Sequence, residues 1–249
     1  MDKFVTRVQS ADDTLLDERL QAALTTIFGF PLFRPYQKQI VTDVMKNHDV
    51  FVVMPTGGGK SLCYALPAVL TKGVTVVISP LISLIEDQVG GFLRMPSGGI
   101  PSAYWTSNCN AKQVQAVKSD LDRASRGNEP FMKLLYLTPE RIVNAGDTKA
   151  ALQKLYQQNM LARFIIDEAH CVSTWGHDFR KDYVLLGNLR DDYPETPIVA
   201  LTATARQKVA EDTIRILRMN KCVRFSTGYD RPNLFFEVRP KKDKTGILS

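Results

Sequence analysis

Apolar positions along this 249-residue chain follow two periods in turn, and the alternation predicts the fold before any single residue is interpreted. Leu15, Leu16, Leu20, Ala23, Leu24, Ile27 and Phe28 recur at helical spacing on one face, after a start signal at Ser10, Asp12 and Asp13 and before a stop at Gly29. Pro35 fits the first turn of a second helix carrying Ile40, Val41, Val44 and Met45. From there short continuous apolar runs take over. Val50 to Val53, Val74 to Ile78, Leu134 to Leu137, Phe164 to Ile166 and Ile198 to Leu201 are each of the kind that a parallel sheet buries on both faces, and Ala103 to Trp105 adds a further short strand. Helical patterns separate them at Leu62 to Leu70, Leu81 to Leu93, Ala111 to Arg126, Lys149 to Gln158, Tyr183 to Arg190 and Gln207 to Arg218, with Gly90 and Gly91 weakening the last turn of one. Strand and helix in alternation predict right-handed crossovers and an α/β fold, a mainly parallel β-sheet with helices on both faces. Ligands of such sheets sit at the carboxyl ends of the strands, so the residues just after each apolar run are the ones to read for chemistry.

Composition narrows the class without naming a function. The chain is 44% hydrophobic and 23% charged, which is ordinary for a globular protein with a sizeable core. A net charge of +6 favours a polyanionic partner such as nucleic acid. No apolar run approaches the ~20 residues of a membrane span and the start carries no secretory leader, so the expected setting is intracellular, with no membrane partner. The four cysteines, Cys63, Cys109, Cys171 and Cys222, form no C-x-x-C pair and have no histidine at metal spacing, which predicts reduced thiols and no zinc site.

Candidate chemistry begins where the first strand ends. Met54-Pro55-Thr56-Gly57-Gly58-Gly59-Lys60-Ser61 lies between a strand and a helix, as a phosphate-binding loop requires. Glycines let main-chain N–H groups approach an anion, and the helix starting near Lys60 aims its free N–H groups and positive dipole end at the same place. Lys60 then reaches the outer phosphates and the Ser61 hydroxyl a Mg²⁺ ion. Met54 stands where the usual pattern has its first glycine. Asp167 and Glu168 come directly after the Phe164 to Ile166 run; the first can hold Mg²⁺, commonly through water, and the second can take a proton from an attacking water. His170 is placed to hydrogen-bond the residues after the next strand, Thr202-Ala203-Thr204, although those threonines also read as caps of the helix through Val209. Trp175, His177 and Phe179 stand beside Arg180 and Lys181, a mixture that suits a single strand of nucleic acid and equally a packed core. Ser79-Pro80-Leu81 and Thr138-Pro139-Glu140-Arg141 read either as helix caps or as grips on a phosphate backbone.

Taken together these segments resemble the superfamily-two helicases, and specifically the RecQ family. The carriers are Phe33-Arg34-Pro35-Tyr36-Gln37, the run Met54 to Tyr64, Ser79 to Leu84, Asp167 to Arg180 and Ala200 to Ala205, with Asp230-Arg231-Pro232-Asn233 similar to the family's exit from its first motor domain. Thr174 and Lys181 depart from the family's common Gln and Pro. The resemblance implies a RecA-like P-loop domain over residues 29–238, with a helical segment at 1–28 and a linker at 239–249 toward a second RecA-like domain absent from this chain. It implies ATP and Mg²⁺, with Arg34 and Gln37 at the adenine, Thr56, Gly57, Gly58, Gly59, Lys60 and Ser61 at the phosphates, and Ser61 and Asp167 at the metal. Lys60, Asp167, Glu168 and His170 form the implied catalytic set. Pro80, Ser83, Thr138, Arg141, Trp175, His177, Phe179, Arg180, Thr202 and Thr204 are implied to touch nucleic acid or couple it to hydrolysis. The implied partner is DNA, as single strands and duplex junctions, in the nucleus of a eukaryote or otherwise the cytoplasm, and the implied activity is a 3′ to 5′ DNA helicase. An RNA helicase or remodeller of the same superfamily, or a non-motor fragment that binds ATP and nucleic acid, stays open. A missing second domain removes an arginine finger, worth about 10³–10⁵ in rate, so weak turnover is expected from this chain alone.

Overall fold

The computed structural model describes residues 11–175, 178–227 and 237. Seven strands form one sheet: β1 (Val50–Val53), β2 (Val74–Ile78), β3 (Ser102–Trp105), β4 (Leu134–Leu137), β5 (Leu161–Ile166), β6 (Ile198–Thr202) and β7 (Val223–Ser226). They lie in the order β3-β4-β2-β5-β6-β1-β7, and every pairing is parallel. A parallel sheet needs a crossover for each strand, and the helices supply them. The first half holds α1 (Ala11–Thr26), α2 (Gln37–Met45), α3 (Lys60–Leu70), α4 (Ile82–Leu93) and α5 (Ala111–Ser125). The second holds α6 (Pro139–Asn144), α7 (Gly146–Gln157), α8 (Lys181–Val184), α9 (Leu189–Asp192) and α10 (Gln207–Ile216).

The sheet divides the apolar interior in two. Phe51, Val76, Ile78, Leu135, Phe164 and Ala200 face one way, under Leu121 of α5, Leu152 of α7 and Ile214 of α10. Val50, Val52, Val77, Ile165, Val199 and Leu201 face the other, under Leu24 of α1, Val41 of α2, Leu66 of α3 and Ile85 of α4. Successive residues of one strand thus enter opposite cores, which is why these strands read as continuous apolar runs rather than alternating ones. Each Val, Leu, Ile or Phe among them contributes roughly 1.5–3 kcal/mol by leaving water. Leu20, Ala23 and Leu24, with Phe28 just past the helix end, bring α1 into the same cluster as Val50 and Val52.

The ladder does not stop where the strands do. Met54 N–H donates to Thr202 O at 3.0 Å, Ser79 N–H to Leu137 O at 3.1 Å and Asp167 N–H to Ile78 O at 2.9 Å. The residues just past β1, β2 and β5 are therefore held by the sheet itself.

Several expectations need correction. Leu15 is 57% exposed and lies off the buried face of α1. The second helix starts at Gln37, not Pro35, because Tyr36 has φ +66° and cannot be helical. The single helix expected over 183–190 is broken into α8, a 3₁₀ turn at Leu185–Asn188 and α9. Gly187 sits in that turn, where a Cβ would strike the carbonyl oxygen of Ile216, so the tighter turn and the glycine together permit close approach to α10. β7 has no counterpart among the predicted strands: it is an edge strand, half-exposed and ending in Ser226, whose burial alternates where the central strands' does not. The expected cap at Ser10, the family-like segment Asp230 to Asn233 and the linker at 239–249 lie outside the described residues.

At the opposite end of the sheet, buried Asp49 organises three neighbours. It accepts from Arg190 Nη2 at 2.6 Å, Ile198 N–H at 2.8 Å and Asn220 N–H at 2.7 Å. Asp49→Asn removes the charge that matches Arg190 and leaves an N–H facing donors. The expected loss is about 1–3 kcal/mol, read as a lower urea midpoint with an unchanged slope.

Candidate functional site

The loop after β1 is shaped by three glycines with different jobs. Gly57 and Gly59 have φ of +79° and +92°, which an L side chain rarely adopts. Gly58 has no such constraint, but a Cβ there would lie 2.5 Å from Met54 Cγ and 2.9 Å from Pro55 O. Met54 is buried and its side chain fills the inside of the turn, so the departure from the usual first glycine has a packing role. Gly58 N–H closes the turn onto Pro55 O at 2.9 Å, and α3 starts at once at Lys60. The Lys60 ammonium donates to Met54 O at 3.0 Å, across the mouth of the loop.

Arg34, just before α2, and Gln37, its first residue, brace this loop. Buried Gln37 donates through Nε2 to Gly59 O at 3.2 Å and accepts from Arg34 N–H at 2.8 Å, while Arg34 Nη1 donates to Gly57 O. A Cβ on Gly59 would strike Gln37 Nε2. A side chain at 58 or 59 would thus distort the loop, whose open face is lined by backbone and by a lysine. Such a face fits a chain of phosphates.

Opposite the loop, β5 delivers two carboxylates into different surroundings. Asp167 is buried, its carbonyl accepts from Tyr183 OH at 2.9 Å, and its Oδ1 accepts from Glu168 N–H at 3.0 Å. Burial, then the neighbouring Glu168, pushes its pKa up to about 6, against the Glu168 amide, Lys60 and Gln88. Glu168 goes the other way: a hydrogen bond from His170 holds its pKa below the usual carboxylate range. Glu168 also has φ +49°, a strained backbone position for a residue with a side chain. His170 Nδ1 lies 3.2 Å from Glu168 Oε2 and 2.8 Å from Thr202 Oγ1, and hydrogen bonds to Cys171 and to Glu168 push its pKa up to about 10. The Thr202 hydroxyl in turn donates to Thr204 O at 3.0 Å. Thr202 and Thr204 cap no helix, since α10 starts after Arg206.

These pieces meet in one cleft of about 500 Å³, lined among others by Arg34, Gln37, Lys60, Ser61, Asp167 and Glu168. Ser61 and Asp167 offer hard oxygen donors, the ligand type that Mg²⁺ takes. The same cleft shows what periodicity missed. Tyr64 OH donates to Gln88 Oε1 at 3.0 Å and lies 2.9 Å from Tyr136 OH, a buried network that joins α3, α4 and β4 beside Asp167. No local spacing marks those partners, because they are brought together only by the sheet.

The segment after Asp167-Glu168 turns as a 3₁₀ helix, Ala169–Val172, and then leaves the core. Trp175 is 63% exposed with Lys208 Nζ 3.1 Å from its ring centroid, and Phe179 is 40% exposed, so neither is a core residue. Arg180 N–H donates to Cys171 O at 3.1 Å and its Nη1 to Pro80 O at 3.3 Å, tying this loop to the segment after β2. Nothing in the sequence singles out Lys208, which is one polar residue of an amphipathic helix. His177 lies outside the described residues.

Other expected contacts are placed less openly. Arg141 stacks 4.0 Å from the Trp105 ring and reaches both Asp147 carboxylate oxygens at 3.2 Å, so its charge is met inside the protein. Thr138 caps α6, its hydroxyl accepting from Arg141 N–H at 3.3 Å. Leu81, not Ser79, is the N-cap of α4; Ser83 is exposed beside it and Pro80 partly so. Among the described residues no helix is long and apolar enough to cross a membrane.

Residues 34–213 match the DEAD/DEAH box helicase family. The chain is 44% identical over 242 residues to the ATP-dependent DNA helicase hus2/rqh1 of Schizosaccharomyces pombe, covering 94% of this chain and 18% of that protein. It is 46% identical to the RecQ-like DNA helicase blm-1 of Caenorhabditis elegans, covering 93% of this chain and 23% of the relative. Against the ATP-dependent DNA helicase Q1 of Rattus norvegicus the identity is 40%, over 93% and 36% of the two chains. Among solved structures, the DUF1998 helicase MrfA bound to DNA superposes with a TM-score of 0.64 at 17% identity over 85% of this chain and 29% of that one. The helicase domain of Pyrococcus furiosus Hef gives 0.52 at 19%, over 78% and 38%. These structures share the RecA-like fold, and the chain spans well under half of each curated relative described.

Proposed function

The chain belongs to the DEAD/DEAH box helicase family, and from that premise we propose that it is the ATP-binding motor domain of a RecQ-like, ATP-dependent DNA helicase that moves 3′ to 5′. One observation carries the reading most: a single cleft gathers Lys60, Ser61, Asp167 and Glu168, and the exposed Trp175 loop grows directly out of its carboxylate segment. Its work is in recombination, repair or replication, in the nucleus of a eukaryote or in the cytoplasm otherwise. The second RecA-like domain of the working enzyme comes from outside these residues, and single strands and duplex junctions are the proposed substrates.

Each residue then has a physical task. Arg34 and Gln37 hold the loop in shape from the side where the adenine is read. Lys60 and the first amides of α3 neutralise phosphate charge, and they do so without rearranging, which is the larger part of such catalysis. Ser61 and Asp167 would hold Mg²⁺, which would supply positive charge to offset the negative charge that builds on the phosphates. Glu168, kept ionised by His170, accepts a proton from the attacking water. His170 joins Glu168 to Thr202 and Thr204, and α10, whose Lys208 touches Trp175, is tied to the same segment by Thr213 Oγ1 donating to Ala169 O at 3.4 Å. Strand binding and hydrolysis are thereby linked through contacts of about 3 Å each.

Strand displacement by the full-length protein on matched DNA and RNA duplexes tests the substrate. Unwinding of DNA with ATP is expected, and equal or better unwinding of RNA overturns the DNA assignment. Trp175→Ala tests the coupling. Loss of one stacked base at ~1–3 kcal/mol lowers DNA-stimulated hydrolysis by about 5- to 150-fold. The DNA-free rate should stay within about twofold, and equal loss of both rates would mean a structural role.

A further inference from the structure

We propose that His170, Cys171 and Asp178 form a binding site for one zinc ion, or a similar borderline-soft divalent cation, between the carboxylate segment and the Trp175 loop. A ring nitrogen of His170, the Cys171 sulfur and a carboxylate oxygen of Asp178 all lie within 4.8 Å of one another, and Cys171 Sγ is 3.7 Å from Asp178 Oδ2. Bonds of about 2.0–2.3 Å in a tetrahedron put ligand atoms about 3.5 Å apart, so small side-chain rotations close the set. Nitrogen, sulfur and one carboxylate select zinc over Mg²⁺, which separates this site from the oxygen donors Ser61 and Asp167.

The surroundings are those of a zinc site. Cys171 is fully buried and His170 nearly so, while Asp178 is exposed, so the site is closed behind and open on one side for entry and for a water as fourth ligand. Glu168 Oε2 and Thr202 Oγ1 hold His170 at Nδ1, and the ring also hydrogen-bonds Cys171, so it already faces the sulfur that would share the ion. A carboxylate behind a histidine is the common outer support of such ligands. Binding displaces to solvent the thiol proton and the proton of the coordinating ring nitrogen, and it takes Asp178 from Arg180 Nη2, 3.5 Å away. The thiolate and carboxylate then match the charge of the ion.

Zinc here joins the aromatic loop to the segment that carries Glu168 and restrains both. The regulatory consequence, inhibition of DNA-stimulated turnover, rests on the function proposed above; the binding does not. Titration of Co²⁺ into this chain reads binding alone, as a sulfur-to-cobalt charge-transfer band in the near ultraviolet that Zn²⁺ abolishes. The band is expected at one ion per chain, retained when Cys63, Cys109 and Cys222 are all serine, and lost in Cys171→Ser. Asp178→Asn, at an exposed side chain, weakens binding about tenfold or more. No band in the wild type, a band surviving Cys171→Ser, or unchanged affinity in Asp178→Asn overturns the site. In the full-length protein Zn²⁺ is expected to lower DNA-stimulated hydrolysis, with Asp178→Asn needing about tenfold more zinc for the same loss. An equal response of the two proteins overturns the regulatory part.

Discussion

Lys60→Ala is expected to lower ATP turnover in the full-length protein by about 10²–10³-fold, the loss typical of removing one preorganised group from a site of developing charge. The ammonium lies across the loop mouth, donating to Met54 O, and its methylene stem is not a core element, so the fold should survive. Loop shape should survive as well, because Gln37 and Arg34 hold Gly59 and Gly57 without it. Nucleotide binding is therefore weakened, while the chemical step is nearly lost. Turnover and the binding of a fluorescent nucleotide, measured on the same preparation, separate these effects. Normal turnover in this variant would remove the loop from the mechanism.

Asp167→Asn combines an equal loss of turnover with a gain in stability. With the Mg²⁺ role proposed for Asp167, the amide would offer no anionic oxygen to the ion, and hydrolysis is expected to fall about 10²–10³-fold. Its stability follows from the raised pKa. The folded chain keeps the Asp167 proton to about pH 6, whereas the unfolded chain releases it near 3.8, so ionisation favours the unfolded state as pH rises between the two values. Above that window the buried charge costs about 1–3 kcal/mol, and a neutral amide of the same shape removes the cost. Without nucleotide or Mg²⁺, at pH 7.5, the variant should melt about 2–10 °C higher than the wild type. At pH 5 the gain should shrink to about half. A gain that is absent, or that grows on acidification, would mean that Asp167 is not a strained anion in the folded chain.

Much of the fold is legible in the chain because its strands enter two cores and therefore read as unbroken apolar runs. The glycine loop is legible for a stronger reason: Gly57, Gly58 and Gly59 stand at fixed offsets from Lys60 and Ser61, and each of the three meets a backbone or contact constraint visible in the structure. Asp167 and Glu168 are marked by position after a strand. The features that escape are set by partners distant in sequence. β7 is recognised by pairing with β1, not by its own half-exposed pattern. Tyr64 and Tyr136 are 72 residues apart, and Gln88 meets Tyr64 only because α4 crosses beside α3. Arg141 reads as available to a ligand because nothing local announces Trp105 and Asp147. The metal cluster escapes because a histidine and a cysteine adjacent in the chain match no usual ligand spacing, and Asp178, seven residues after Cys171, meets them only in space.

Sheet hydrogen bonds that run past the strand ends at Met54, Ser79 and Asp167 have a thermodynamic consequence for how the domain opens. Those amides should exchange with solvent deuterium only when the whole sheet comes apart, since each is one more rung of the cooperative unit. The amides of Gly57 and of Trp175, a few residues on, belong to local openings that cost far less. Rigid anchors and yielding tips thus alternate within a few residues around the cleft where a ligand would be gripped and released.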